Sequence, residues 1–175
     1  MSIAVGIIGA GIMGSDHARN IALHTGGATL AAIADVDAGR ASGLADELGV
    51  AATFSDAPAL IASPDVDAVV VASHDSTHAG LVVAAVEAGK PVLCEKPLAL
   101  DLEDCAAILQ AEQRAGHRLV SVGFSRRFDA ANVAIRAALA AGEVGRPLLL
   151  HAVHRNVSND PTGDSASTVI NSEIH

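Results

Sequence analysis

Ile3-Ala4-Val5-Gly6-Ile7-Ile8-Gly9-Ala10-Gly11-Ile12-Met13-Gly14 opens the chain, and its reading decides the fold. Ile3–Ile8 is short, apolar and rich in β-branched residues, the pattern of a strand covered on both faces. Gly9, Gly11 and Gly14 then form G-x-G-x-x-G at the joint between this strand and a helix predicted over Ile12–His24. Each glycine has its own duty. Gly9 allows the tight turn, Gly11 lets a pyrophosphate approach the backbone, and Gly14 lets the helix pack on the strand. The first helical residues, Ile12 and Met13, present backbone N–H groups to such a phosphate.

A lone glycine pattern is weak evidence. Here Asp35 stands 21 residues after Gly14, at the end of a second predicted strand, Leu30–Ala34. A carboxylate there accepts hydrogen bonds from adenosine ribose hydroxyls. It also repels a 2′-phosphate, and neither Val36 nor Asp37 beside it is basic. Arg40 falls a turn into the next predicted helix and reads as a solvated surface residue. The expected cofactor is therefore NAD.

The segments that follow alternate. Asp37 caps a helix to Leu48, with Gly49 past its end. Ala51–Phe54 reads as a short strand, Ala57–Ala62 as a short helix and Val66–Ala72 as a strand. Ala79, Val82, Val83 and Val86 share one helical face, and Gly89 stops that helix. Pro91–Cys94 is a strand. Asp101 caps a helix whose apolar face includes Leu102, Cys105, Ile108 and Leu109, and Gly116 ends it. Leu119–Phe124 is a sixth strand. This alternation predicts an α/β fold, a Rossmann-type doubly wound parallel sheet over residues 1–123. After it the rhythm changes to a helix over Asp129–Ala141, an alternating strand over Pro147–Val157 and a polar loop over Ser158–Ser167. Residues 124–175 hold too few elements to enclose a core of their own.

Composition narrows the function classes. The 175 residues are 50% hydrophobic and only 18% charged, enough to fill a core without disorder. Eleven basic against twenty acidic residues give a net charge of −9 with no basic run, a poor match to nucleic acid or an anionic membrane. Cys94 and Cys105 lack metal or redox spacing and read as reduced core thiols. Ser2–Met13 lacks a basic flank and is broken by glycines, so it reads as a buried strand and not a signal peptide. A cytoplasmic protein is the expectation.

Two strand ends carry polar clusters, and ligands of such sheets bind at the carboxyl ends of strands. Ala72-Ser73-His74-Asp75-Ser76-Thr77-His78 follows the fourth strand. No third protein ligand accompanies its two histidines, so helix capping and cofactor contact by Ser73 and His78 are expected, with no metal. Cys94-Glu95-Lys96-Pro97 closes the fifth strand. By residue type Lys96 reads equally as a surface lysine. Its position favours function, because a lysine beside a nicotinamide can polarise a substrate oxygen.

In order along the chain, these segments resemble the glucose–fructose oxidoreductase / inositol dehydrogenase family of NAD(P)-dependent sugar and polyol dehydrogenases. Gly9–Gly14 with Asp35, Val69–His78, "AGKPVLCEKPLA" over Ala88–Ala99, "VGFSRRFD" over Val122–Asp129 and Gly142–Pro147 carry the resemblance. The chain departs from the family at His74 and Asp75, where Pro and Asn are usual. The resemblance implies a catalytic lysine at Lys96 and a catalytic histidine four residues after an Asp or Asn, which maps to Asn171 and His175. It also implies cofactor contact by Glu95 and Lys96. His154-Arg155-Asn156 resembles the inositol dehydrogenases, which usually have Asp at the position of Asn171. His154 is a candidate substrate contact, and Arg127 is a second, beside the cofactor loop. Family members are about twice as long, so the chain reads as an N-terminal part, 124–175 being the truncated start of an α/β substrate domain. The implied reaction is hydride transfer between a secondary alcohol of a sugar or cyclitol and NAD, inositol 2-dehydrogenase-like, by a homo-oligomer in its full-length form. The 175 residues alone are expected to be inactive. The alternatives are a non-catalytic NAD-binding regulator and a glycosidase that uses NAD as a redox cofactor.

Overall fold

A computed structural model describes residues 2–153 and 169–172. The chain divides into two units, 1–124 and 125–175.

The first unit is built on six parallel strands: β1 (Ile3–Ile8), β2 (Ala28–Ala34), β3 (Ala52–Phe54), β4 (Ala68–Val71), β5 (Val92–Cys94) and β6 (Val120–Val122). Their order across the sheet is β3-β2-β1-β4-β5-β6. The order reverses between β1 and β4, so their carboxyl ends frame the crevice where such sheets receive ligands. The connecting helices are α1 (Ile12–His24), α2 (Ala38–Leu48), α3 (Ala57–Ala62), α4 (His78–Glu87) and α5 (Leu102–Ala115).

Strand alternation separates two apolar layers. Ile7, Ile33 and Val70 point to one face and meet Ala18 of α1 and Ala41, Leu44 and Ala45 of α2. Ile8, Ala34, Val69 and Val71 point to the other and meet Leu60, Val82, Val86 and Ile108. Each fully buried Ile or Leu contributes roughly 1.5–3 kcal/mol of transfer free energy. The expected doubly wound α/β sheet is thus present, covered on both faces. Gly6 sits inside the second layer: a Cβ there would lie 2.6 Å from Leu60 Cδ2 and 3.1 Å from Val66 Cγ1. Its bare backbone lets α3 lie close against β1.

Helix ends follow the local chemistry. Asp37 accepts from Gly39 N–H at 3.0 Å and Arg40 N–H at 3.1 Å, and Asp101 accepts from Asp104 N–H at 2.8 Å. Gly49 and Gly116 close α2 and α5 with left-handed φ of 70° and 77°. The expected apolar face of α5 needs correction. Leu102 and Leu109 are 87% and 57% exposed, while Ile108 and Ala111 are buried. Helix α4 selects the buried stripe by packing on the side of Ile108 and Ala111. Cys94 is buried and Cys105 half-buried, both as free thiols. No helix among the described residues is long and apolar enough to cross a membrane.

The second unit begins with a single 3-10 turn, Ser125–Arg127, followed by α6 (Ala130–Ala140), capped by Asp129. Strands β7 (Leu150–Val153) and β8 (Val169–Ser172) pair antiparallel, with His151 opposite Asn171. The strand expected over Pro147–Val157 starts later, at Leu150, and residues 154–157 lie outside those described. Strand β8 was not foreseen.

Candidate cofactor site

The glycine turn is fixed by its surroundings. Gly9 has φ of 95°, and a Cβ on it would lie 2.6 Å from Ala72 O and 2.7 Å from Ser73 Cα. Only a glycine passes between β1 and β4 here without strain. A Cβ on Gly14 would strike the Gly9 carbonyl oxygen, so α1 can approach the turn only because that side chain is missing. Gly11 differs: a Cβ there would meet nothing within 4 Å. The backbone at Gly11 thus faces open space at the start of α1, as a cradle for pyrophosphate requires. Ile12 and Met13 follow with exposed side chains.

Asp35 ends β2 at the floor of this turn. It is 9% exposed. Oδ2 accepts from Ala10 N–H at 2.7 Å, and Oδ1 accepts from Asp37 N–H at 2.8 Å. The carboxylate therefore holds the glycine turn to the second strand. Each oxygen keeps a further lone pair, so a ribose hydroxyl can still be received.

A cleft of about 650 Å³ opens over these strand ends, lined by Gly9, Gly11, Asp35, Arg40, Pro58 and Ser73 among others. Its size suits an adenosine. Arg40 turns back to Asp37, Nε to Oδ2 at 3.2 Å. Hydrogen bonds from the Arg40 backbone and side chain hold the Asp37 carboxyl below its ordinary range. Arg40 is exposed, as the sequence implied, and it also lines the cleft. On the β4 side Ser73 Oγ and Thr77 Oγ1 are 2.7 Å apart, and Thr77 Oγ1 donates to His74 O at 2.7 Å. His74 Nδ1 lies 3.0 Å from Ser76 Oγ, within the same turn.

His78 has a different place from the cofactor contact expected of it. It is 1% exposed. Nδ1 lies 2.7 Å from Pro97 O and Nε2 3.2 Å from Ser73 O. A neutral imidazole carries one N–H and so donates to one of these two carbonyls; packed between them, the ring sits between the β4 loop and the Glu-Lys-Pro loop instead of facing a ligand. Glu95 also turns inward, at 8% exposed. Its Oε1 lies 2.8 Å from His17 Nε2, and its Oε2 accepts from Lys96 N–H at 3.3 Å. Lys96 is itself exposed at the carboxyl end of β5. Burial and the neighbouring carboxylates of Glu95 and Asp75 push the Cys94 thiol up to about 12, which rules it out as a nucleophile at neutral pH.

Of the remaining candidates, Arg127 lies exposed in the turn that opens the second unit, and Asn171 lies in β8. His154 and His175 lie outside the described residues. The sequence reading missed His17, whose only signal is its position one turn into the helix after the glycine loop. Nothing in spacing links it to Glu95, 78 residues away.

A glycine turn open at Gly11, a helix N-terminus behind it, a buried acid at the end of the second strand and a cleft at the switch point together define a dinucleotide-binding Rossmann domain. The chain belongs to the glucose–fructose oxidoreductase / inositol dehydrogenase group, the oxidoreductase family with an NAD-binding Rossmann fold, whose model matches residues 3–124. It is 46% identical over 175 residues to inositol 2-dehydrogenase 2 of Saccharopolyspora erythraea, covering all of this chain and 52% of that protein. It is 49% identical over 179 residues to inositol 2-dehydrogenase 2 of Paenarthrobacter aurescens, covering all of this chain and 53% of that one. The scyllo-inositol dehydrogenase of Lactobacillus casei, solved with NAD(H) and scyllo-inositol, superposes with a TM-score of 0.81 at 32% identity, over 85% of this chain and 44% of that one. The chain thus spans about half the length of the curated relatives it matches.

Proposed function

We propose that the full-length protein is an NAD-dependent dehydrogenase that oxidises a secondary alcohol of a cyclitol or sugar, with inositol the foremost candidate. The observation that carries this reading is the pairing of an open Gly11 turn with Asp35 at the end of β2. The first accepts a pyrophosphate, and the second accepts a ribose hydroxyl while repelling a 2′-phosphate. The inositol dehydrogenase relatives support the substrate class.

In this reading Gly9, Gly11, Ile12, Met13 and Gly14 receive the pyrophosphate, Asp35 the adenosine ribose, and Ser73 lines the wall of the cleft. When bound, the nicotinamide supplies a hydride acceptor. Lys96 hydrogen-bonds the substrate hydroxyl oxygen and stabilises the negative charge that develops there. His175 takes the hydroxyl proton as general base, oriented by Asn171. Arg127 and His154 contact substrate. Residues 1–123 form the cofactor domain, and 124–175 begin the substrate domain. The whole enzyme is a cytoplasmic homo-oligomer.

The test is a panel of inositols and other polyols assayed on the full-length protein with NAD, following NADH absorbance. Turnover on a cyclitol supports the proposal. Tight NADH binding with no turnover on any polyol would instead identify a regulator, and release of sugar from glycosides without net NADH would identify a glycosidase.

A further inference from the structure

The Glu-Lys-Pro loop is held from a direction that its sequence does not reveal. His17 sits on α1, one turn beyond the residues that face the pyrophosphate. Its Nε2 lies 2.8 Å from Glu95 Oε1, and the other carboxylate oxygen, Oε2, accepts the backbone N–H of Lys96 at 3.3 Å. Glu95 is anchored in turn. Its own N–H donates to Val71 O at 2.8 Å, continuing the β4–β5 ladder, and its side chain is buried beside Gly123, just past the end of β6. Gly123 makes the space for it, because a Cβ there would lie 3.1 Å from both Glu95 Cδ and Oε1. An ionised carboxylate only accepts, so His17 donates through Nε2. A carboxylate buried without this donor would bear the cost of an unsatisfied charge.

We propose that His17 is a positioning residue for Lys96, acting through Glu95. The imidazole fixes the rotamer of Glu95, and the second oxygen of Glu95 then fixes the backbone amide from which Lys96 projects. The proposal rests on the reading of Lys96 as the residue that meets the substrate oxygen. It also explains why a buried acid precedes the lysine: Glu95 faces the fold, so that Lys96 can face the ligand.

The test has two readouts. The first is amide hydrogen exchange of this chain, followed by NMR and independent of any bound ligand. His17→Ala is expected to speed exchange at the Lys96 amide about tenfold, the scale of one lost charge-assisted hydrogen bond. The amides of Val5 and Ile33 in the central strands should be unchanged. His17→Gln, whose amide can donate from nearly the same point, should return the Lys96 rate to within about threefold of the native one. An unchanged Lys96 rate in His17→Ala overturns the proposal. So does acceleration spread equally over Val5 and Ile33, which would make His17 a general support of the fold. The second readout is kinetic, on the full-length enzyme. His17→Ala should lower kcat at least tenfold with the KM for NAD unchanged, and His17→Gln should recover most of it. Faster Lys96 exchange with undiminished kcat would overturn the catalytic part of the proposal, locating the failure in the role given to Lys96 and not in the relay.

Discussion

Replacing Asp35 should alter both cofactor choice and stability, and the two effects can be separated by the choice of substituent. The Oδ2 hydrogen bond to Ala10 N–H is buried, at 2.7 Å. Losing a charge-assisted bond of this kind costs about 1.5–3 kcal/mol. The bond to Asp37 N–H is only partly buried, at 2.8 Å, and water can replace it in the variant. Its loss costs about 0.5–1 kcal/mol. Asp35→Ala should therefore lose roughly 2–4 kcal/mol, which for a domain of this size lowers Tm by about 10 °C. Asp35→Asn should behave differently. Its carbonyl oxygen can face the buried Ala10 N–H and leave the amide NH2 toward Asp37, where solvent reaches. That variant should lose about 1 kcal/mol or less. Both variants remove the negative charge. A unit charge about 4 Å from the Asp35 carboxylate is repelled by between ~1 and ~4 kcal/mol, depending on solvent exposure. With the ribose hydrogen bond also lost, the preference for NADH over NADPH should narrow by about two orders of magnitude in both variants. Unfolding by circular dichroism and NADH or NADPH titration by ligand fluorescence would measure these effects, helped by the absence of Trp and Tyr. An Asp35→Ala variant as stable as the native chain would refute the anchoring role. An Asp35→Asn variant with undiminished NADH preference would refute the electrostatic one.

Other consequences are as direct. Gly9→Ala must place a Cβ 2.6 Å from Ala72 O at a φ of 95°, so it should lose about 2–4 kcal/mol by thermal unfolding and weaken NADH binding at least tenfold. Lys96→Ala in the full-length enzyme should lower kcat by roughly 10²–10⁴ while leaving NADH affinity within a few-fold, as measured by steady-state kinetics and titration. Glu112 Oε1 accepts from Leu119 N–H at 2.8 Å and Val120 N–H at 2.9 Å, and these bonds hold its carboxyl below the ordinary range. Its contribution is therefore complete above that range and is lost as pH falls through the depressed value. Glu112→Ala should cost about 1–3 kcal/mol at neutral pH and should flatten the acid limb of an unfolding-versus-pH curve.

The parts of this site that lie along one segment could be read directly. Gly9, Gly11 and Gly14 share one turn, and Asp35 ends the strand beside it, so a short pattern and one spacing located the turn and the acid around which the cleft opens. Strand positions were also legible, because parallel strands buried on both faces are nearly continuous apolar runs, as at Ile3–Ile8 and Val69–Val71. The stripe of α5 was not. Leu102 and Leu109 outrank Ala111 in hydrophobicity, but α4 packs where a small residue permits close approach. Contacts between distant segments were equally hidden. The His17–Glu95 pair and the Pro97 carbonyl at His78 depend on which loops the sheet order brings together, and neither histidine advertises its partner locally. Arg40 is exposed, as its helix position implied, and only the fold shows that this surface also borders the cleft.

Gly6 lies one strand layer below anything a cofactor could touch, yet it gauges the site. Leu60 rests against its bare backbone, and Leu60 belongs to the short helix whose first residues, Ala57 and Pro58, line the cleft. A single added methyl would lie 2.6 Å from Leu60 Cδ2, so the Leu60 side chain, or the helix that carries it, would have to shift. One wall of the cleft is thus seated from inside the core, on a side chain that is missing. The geometry of the cleft therefore depends on a residue that does not line it and has no polar atom of its own beyond the peptide.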